Sequence, residues 1–270
     1  MIDIIMPAYN CSSTLDRTLQ SLSEQTNKNF NLIFVDDCST ENLTTILSKY
    51  GDKFNIIYVR NATNLGCGLS RQVGIQNLVS EYFMFCDSDD IVLPKTVEIF
   101  HREMEKNPEI VVGKFYRQTK DGRFGIEPSN FTWCHGKLYS KKAFEKYNIE
   151  NKAEFSRWSD DVYLNYICKE LCKPTFIDDV LYKWMYTDDS VTRQEEKENS
   201  YDNYITYLKS VVAAYDHVLQ YKPASYFITY QTKNIKLRNA DNPEEVELYN
   251  RICQINETNL KKTQRKSRRF

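Results

Sequence analysis

Four short apolar runs, each closed by a polar cluster and followed by a helix-spaced stripe, constrain this chain more than any other feature. Ile2–Met6 ends at Pro7, with Tyr9-Asn10 behind it. Leu32–Val35 ends at Asp36-Asp37, Ile56–Val59 is followed by Asn64-Leu65-Gly66, and Tyr82–Cys86 runs into Asp87-Ser88-Asp89-Asp90. Between them Leu15, Leu19 and Leu22, then Leu43, Ile46 and Leu47, then Leu69–Leu78 keep helical spacing. Ser12 and Ser13 offer a cap for the first of these helices, and Pro94 opens another through about Lys106. Alternation of this kind predicts an α/β fold with a mainly parallel sheet between helices. Such sheets bind ligands beyond the carboxyl ends of their strands, where all four polar clusters fall.

The remainder is less regular. Residues 110–139 predict short strands with an Asp121-Gly122 hairpin, 141–147 and 160–172 predict helices, and 176–186 one or two strands. Tyr201, Tyr204, Leu208, Val211, Tyr215, Val218 and Leu219 form a long helical stripe, followed by shorter helical segments near 225–237 and 244–258. The last ten residues hold Lys261, Lys262, Arg265, Lys266, Arg268 and Arg269. They predict a solvated, disordered tail, with contact to an anionic membrane surface or DNA as the sharper expectation. The division is a domain over 1–192, a helical extension over 193–260 and the tail 261–270.

Bulk properties remove some classes. Net charge is −1, so the whole-molecule field selects no polyanion. No apolar run approaches the ~18–20 residues that cross a bilayer, and the amino terminus lacks a signal-peptide pattern, which predicts a cytoplasmic protein. The eight cysteines show no CxxC pair and the three histidines no zinc-ligand spacing, so reduced thiols are expected. A nicotinamide-dependent dehydrogenase needs Gly-x-Gly-x-x-Gly after the first strand, where this chain has Pro-Ala-Tyr-Asn. A nucleotidyltransferase would bring an early glycine-rich basic loop, which is missing too.

The chemistry sits in carboxylates. Asp87 and Asp89 flank a small residue and suit a hard divalent cation, although Asp-Ser-Asp-Asp is also ordinary turn chemistry. Asp36-Asp37 suits a base or ribose, or a helix cap. Arg71 suits a phosphate or base, or a plain surface. Of Asp160-Asp161, one caps the following helix and the other is placed to be a general base.

Taken together, Ile4–Asn10, Val35–Thr40, Asn64-Leu65-Gly66 with Ser70-Arg71, Phe85–Asp90 and Trp158-Ser159-Asp160-Asp161 resemble the family-2 inverting glycosyltransferases of GT-A, Rossmann-like fold. Trp133–Tyr139 resembles the middle block of bacterial polysaccharide members, and the likeness spans roughly residues 1–192. It implies Pro7, Tyr9, Asp37, Asn64, Arg71, Asp87 and Ser88 around a nucleotide-sugar donor, a UDP-sugar by family frequency. Asp37 would face the base and Asp87 the ribose. It further implies Asp89 as main ligand of Mn²⁺ or Mg²⁺ and Asp161 as catalytic base. His135, Lys137, Trp158 and Asp160 fall on the acceptor side, toward a surface polysaccharide or lipid-linked glycan, at the membrane periphery. Glycosylation of a modified base in DNA by a phage-type enzyme is the second expectation, and a non-catalytic sugar-nucleotide-binding module the third. Three departures from the family pattern stand out: Asp160-Asp161 for Glu-Asp, Cys38 for Gly, and no histidine before the Ser-x-Thr element in Tyr186–Thr192, where Asp188 or Asp189 would substitute.

Overall fold

The structure is a computed structural model that describes residues 1–131, 133–157, 159–187, 201–222 and 235–267, with side chains to residue 257. Strands β1 (Ile2–Ala8), β2 (Phe30–Asp36), β3 (Asn55–Arg60) and β4 (Tyr82–Phe85) are parallel neighbours in the order β3-β2-β1-β4. Every residue of β1 and β2 is buried, as continuous apolar runs covered on both faces require. Period-2 alternation then divides the side chains. Ile5, Ile33, Phe83 and Phe85 join one core, while Ile4, Met6, Leu32 and Phe34 join the other.

Helices α1 (Ser12–Ser23), α2 (Thr44–Leu47) and α4 (Thr96–Met104) cover the second core through Leu15, Leu19, Leu22, Leu47, Val97 and Phe100. Helices α3 (Cys67–Gln76), α5 (Lys141–Lys146), α6 (Asp160–Leu171) and α7 (Tyr201–Leu219) cover the first. Helix α8 (Pro243–Ser267) packs on α7 and adds Ile252 and Ile255 to that core.

Beyond β4 the sheet is mixed, which the strand–helix alternation does not predict. β8 (Lys137–Ser140) inserts antiparallel between β4 and β6 (Ile110–Gln118); β9 (Pro174–Trp184) runs parallel to β6, and β5 (Ile91–Val92) caps that edge. β7 (Phe124–Glu127) pairs with β6 as the expected hairpin, with Gly122 at φ +82°.

Local boundaries moved for identifiable reasons. The cap of α1 is Cys11, with no side-chain cap bond, so Ser12 and Ser13 lie inside the helix. Pro94 stands in the turn before α4, where its carbonyl accepts the Thr26 amide at 2.8 Å, and the helix starts at Thr96. The segment near 225–237 lies mostly outside the described residues. The helix expected over 244–258 runs on to Ser267, carrying helical backbone into the basic segment read as a disordered tail. All eight cysteines are free thiols. Among the described residues no helix is long and apolar enough to cross a membrane.

Candidate active site

The carboxyl ends of β1, β2 and β4 come together, and the first turn of α6 meets them through Arg71. Arg71 organises the centre. The residue is 6% exposed, and its guanidinium donates to Asp87 Oδ1 at 2.7 Å and to Asp160 Oδ2 at 2.5 Å and lies 5.6 Å over the Phe85 ring. A residue expected at a phosphate or base thus bridges two carboxylates from separate elements. Its Nε is buried without a hydrogen-bond partner. Burial pushes the Asp87 carboxyl up, but Arg71, with His135 farther off, more than offsets this and leaves it below the usual range. For Asp160 burial wins over Arg71, so its carboxyl stands above the ordinary value.

A close approach makes the bridge possible. At Gly68, in the first turn of α3, a Cβ would stand 2.7 Å from the Cβ of Asp160 and 3.0 Å from the Ser156 backbone. Ser156 ties the same turn down: its hydroxyl accepts the Leu69 amide at 2.7 Å and donates to the Leu65 carbonyl at 2.6 Å. Nothing in the sequence marked Ser156, a serine two positions ahead of Trp158.

Asp37 is engaged within the protein. Oδ1 accepts Asn61 Nδ2 and the Leu65 amide, and Oδ2 accepts the Gly66 amide, all at 2.8 Å. A carboxylate has about four acceptor positions, so one is left over. Asp36 is held by Tyr58, Arg60 and the Ser39 amide. Cys38, where the family pattern has glycine, sits at φ +65°, the backbone region that favours glycine. Pro7 is buried in β1, Tyr9 is 49% exposed just past the end of β1, and Asn64 Oδ1 is buried without a partner.

The Asp87–Asp90 turn is fixed from two sides. The Ser88 carbonyl accepts hydroxyls from Thr14 and Thr18 of α1 at 3.1 and 3.0 Å. The Asp89 carboxylate accepts from Thr187 at 3.1 Å, and burial together with Asp87 raises its pKa. Asp90, fully buried, accepts Tyr182 Oη at 2.8 Å and the Met185 amide at 2.7 Å. Burial and its acidic neighbours push the Asp90 carboxyl well up.

His135, expected on the acceptor side, stands against this turn. Its Nδ1 lies 3.9 Å from Asp90 Oδ2, and its ring stacks on Tyr182 at 5.0 Å with Trp184 and Phe115 beside it. Burial lowers its pKa to about 4. Asp87, Asp90 and His135 each offer a ligand atom within 4.8 Å of the others. Among the described residues that trio is the group of three such side chains that converges. Asp90 was visible in the sequence only as the last member of its motif. Tyr182 carried no signal.

Asp161 follows Asp160 in the first turn of α6, and its Oδ1 accepts the Val162 amide at 2.8 Å. Lys137 is 1% exposed, donates to the Trp133 carbonyl and lies 5.7 Å over Phe131. Trp158, Asp188 and Asp189 lie outside the described residues. A separate hollow lined by Lys106, Glu109, Lys146 and Lys173 sits at the amino end of β6, away from these carboxylates.

Residues 3–164 match the family model "Glycosyl transferase family 2". The chain belongs to glycosyltransferase family 2. Among curated relatives, this family-2 chain is 26% identical to "Glycosyltransferase GlyG" of Streptococcus pneumoniae, covering 72% of this chain and 74% of that protein. An "Uncharacterized glycosyltransferase" of Haemophilus influenzae is 36% identical over 110 residues, 41% of this chain and 36% of the relative. The "Cholesterol galactosyltransferase" of Borreliella burgdorferi is 25% identical, with 72% and 51% covered. The chain therefore spans between about a third and three quarters of these relatives. Of solved structures, S. aureus TarS 1-349 in complex with UDP-GlcNAc superposes with a TM-score of 0.76 at 17% identity, covering 95% of this chain and 81% of that one. Mannosyltransferase PcManGT from Pyrobaculum calidifontis, in complex with GDP-Man and Mn²⁺, gives 0.59 at 10% identity, covering 95% and 72%. These likenesses establish the GT-A fold of the glycosyltransferase.

Proposed function

We propose that the chain transfers a sugar, with inversion, from a nucleoside-diphosphate donor, a UDP-sugar, to the hydroxyl of a glycan or lipid-linked glycan. The observation that carries this is the meeting of Asp87 and Asp160 on Arg71, beyond the strand ends, in a chain whose family match spans residues 3–164. Pro7, Tyr9, Asn64 and the free acceptor position of Asp37 line the nucleotide side, with Ser88 and Asp87 toward ribose and diphosphate. The likeness to a TarS complex with UDP-GlcNAc supports a UDP-sugar.

Asp161 is the base. As the acceptor oxygen forms its bond to the anomeric carbon, the hydroxyl proton passes to the Asp161 carboxylate. The bond from that carbon to the phosphate oxygen breaks on the opposite face, and nucleoside diphosphate leaves with the electron pair. Two carboxylates and one imidazole fit a divalent ion by donor type, and family resemblance adds Asp89 as its main ligand. Bound Mn²⁺ or Mg²⁺ would neutralise charge on the departing diphosphate. The protein would act at the cytoplasmic face of the membrane, with the basic segment Lys261–Arg269 toward anionic lipid.

The test is release of nucleoside diphosphate from a panel of UDP- and GDP-sugars, with products followed by mass spectrometry. Activity should stop with EDTA and return with Mn²⁺. Asp161→Asn should lower kcat by about 10²–10⁴-fold while donor binding holds. Undiminished turnover by that variant removes Asp161 as base, and no release from any donor removes the transferase reading.

A further inference from the structure

Two carboxylates of the Asp87–Asp90 turn meet one side chain from a distant part of the chain, and that side chain makes no hydrogen bond among the described residues. His135 is 8% exposed, and no hydrogen-bond partner holds either ring nitrogen among the described residues. His101 and His217, the other histidines of the chain, each have one, through Asn29 O at 2.9 Å and Tyr147 O at 2.8 Å. The His135 ring packs on Tyr182 and Trp184, with Nδ1 3.9 Å from Asp90 Oδ2. That separation is too long for a hydrogen bond. It suits two ligands of one ion, because bonds of about 2.0–2.2 Å set neighbouring ligands roughly 3–4.4 Å apart.

The carboxylates are oriented for the same purpose. Arg71 occupies Asp87 Oδ1, which leaves Oδ2 available. Tyr182 and the Met185 amide hold Asp90 by one bond on each oxygen, and each oxygen keeps a second lone pair. Tyr182 also accepts the Asp87 amide at 3.0 Å, so one phenol holds the Asp87 backbone and the Asp90 carboxylate while its ring supports the imidazole. Asp89 lies in the same turn but turns its carboxylate to Thr187.

We propose that Asp87, Asp90 and His135 bind the divalent ion directly, with imidazole as nitrogen ligand, and that this mixed donor set selects Mn²⁺ over Mg²⁺. The inference rests on the metal-dependent reading above and deepens it. Mg²⁺ takes oxygen ligands and tolerates little departure from an octahedron, whereas nitrogen donors favour metals later in the first transition row. The ligand comes from the stretch before β8, a strand that inserts between β4 and β6 and so brings residue 135 to residues 87 and 90.

Pulsed electron paramagnetic resonance of Mn²⁺ bound to the full chain with UDP tests this without turnover. The expected result is nitrogen modulation from one imidazole, which changes to the ¹⁵N pattern when histidine is isotopically labelled. Asp89→Ala should weaken Mn²⁺ binding, while the ion that still binds keeps that coupling. His135→Gln should abolish it and weaken Mn²⁺ binding by at least about tenfold, since even outer partners of a metal site are worth 10–100-fold. The wild-type spectrum stands alone should that variant misfold. Mn²⁺ bound without nitrogen coupling overturns the inference and leaves a metal-dependent transferase intact. Absence of Mn²⁺ binding, with UDP binding retained in calorimetry, overturns the inference together with the metal-dependent reading.

Discussion

Lys137 carries an ammonium into the core with no carboxylate at ion-pair distance among the described residues. It is 1% exposed and its Nζ donates to the Trp133 carbonyl. Burial lowers its pKa from 10.5 to about 8, against weaker upward pulls from Cys134, Cys168 and Asp161. A lysine depressed in the folded state binds fewer protons there than in the unfolded chain between pH 8 and 10.5, so its effect on stability becomes more favourable as pH rises. Below pH 8 the full cost applies, of the order of 3 kcal/mol from the size of the shift. Lys137→Met removes that cost together with one hydrogen bond worth about 1 kcal/mol. Urea denaturation should find the variant more stable than the parent by about 1–3 kcal/mol at pH 7. The gap should narrow by pH 10, and a less stable variant at pH 7 refutes the argument. Stability given up at a buried charge near Asp161 is what a functional position predicts.

At the scale of elements, the site depends on α3 and α6 touching. Gly68 permits this, and Gly68→Ala would push its Cβ against Asp160 and the Ser156 backbone. Overpacking of this kind costs about 1–3 kcal/mol, more than alanine returns in helix propensity near a helix start. Chemical denaturation should register the loss, and donor binding should weaken as Arg71 is drawn from Asp160. Gly51→Ala is the control: only the Ser48 carbonyl lies within reach, at 3.9 Å, so stability should stay within about 0.5 kcal/mol. An equal loss in both variants would show that the contact with Asp160 and Ser156 is not what is being measured. The elements on either side of this contact were legible to different degrees. β1 to β4 and α1 to α3 follow from local periodicity, because each carries its own apolar spacing, whatever strand it goes on to pair with. The Arg71–Asp160 pair spans 89 residues, and the insertion of β8 beside β4 is a long-range choice that no local pattern encodes. His135 was therefore assigned by its motif block to the acceptor side, whereas the sheet brings it to Asp87 and Asp90. Cys38 was visible as a departure from glycine, but its positive φ required the backbone.

For the whole molecule, the question is whether the helices after residue 200 are an appendage or part of the catalytic fold. Leu208, Val211, Ala214 and Val218 of α7 are fully buried, in one core with Phe155, Tyr163 and Ile167. Phe155 adjoins Ser156, and Tyr163 lies in the helix that begins with Asp160 and Asp161, so the floor of the site rests on α7. Polar contacts cross the same boundary: His217 bonds the Tyr147 carbonyl, and Lys222 pairs with Glu170 at 3.0 Å. Burying each large apolar side chain is worth about 1.5–3 kcal/mol, so the few on α7 together rival the 5–15 kcal/mol that holds a domain folded. A chain stopped after Thr192 should expose that surface, bind a hydrophobic dye, lose its cooperative unfolding transition and bind no donor. The full chain should unfold in one step, with fluorescence and circular dichroism transitions coinciding. A truncated chain that kept the parental midpoint and its activity would make α7 and α8 an appendage, and would move the support of Asp161 into the first 192 residues alone.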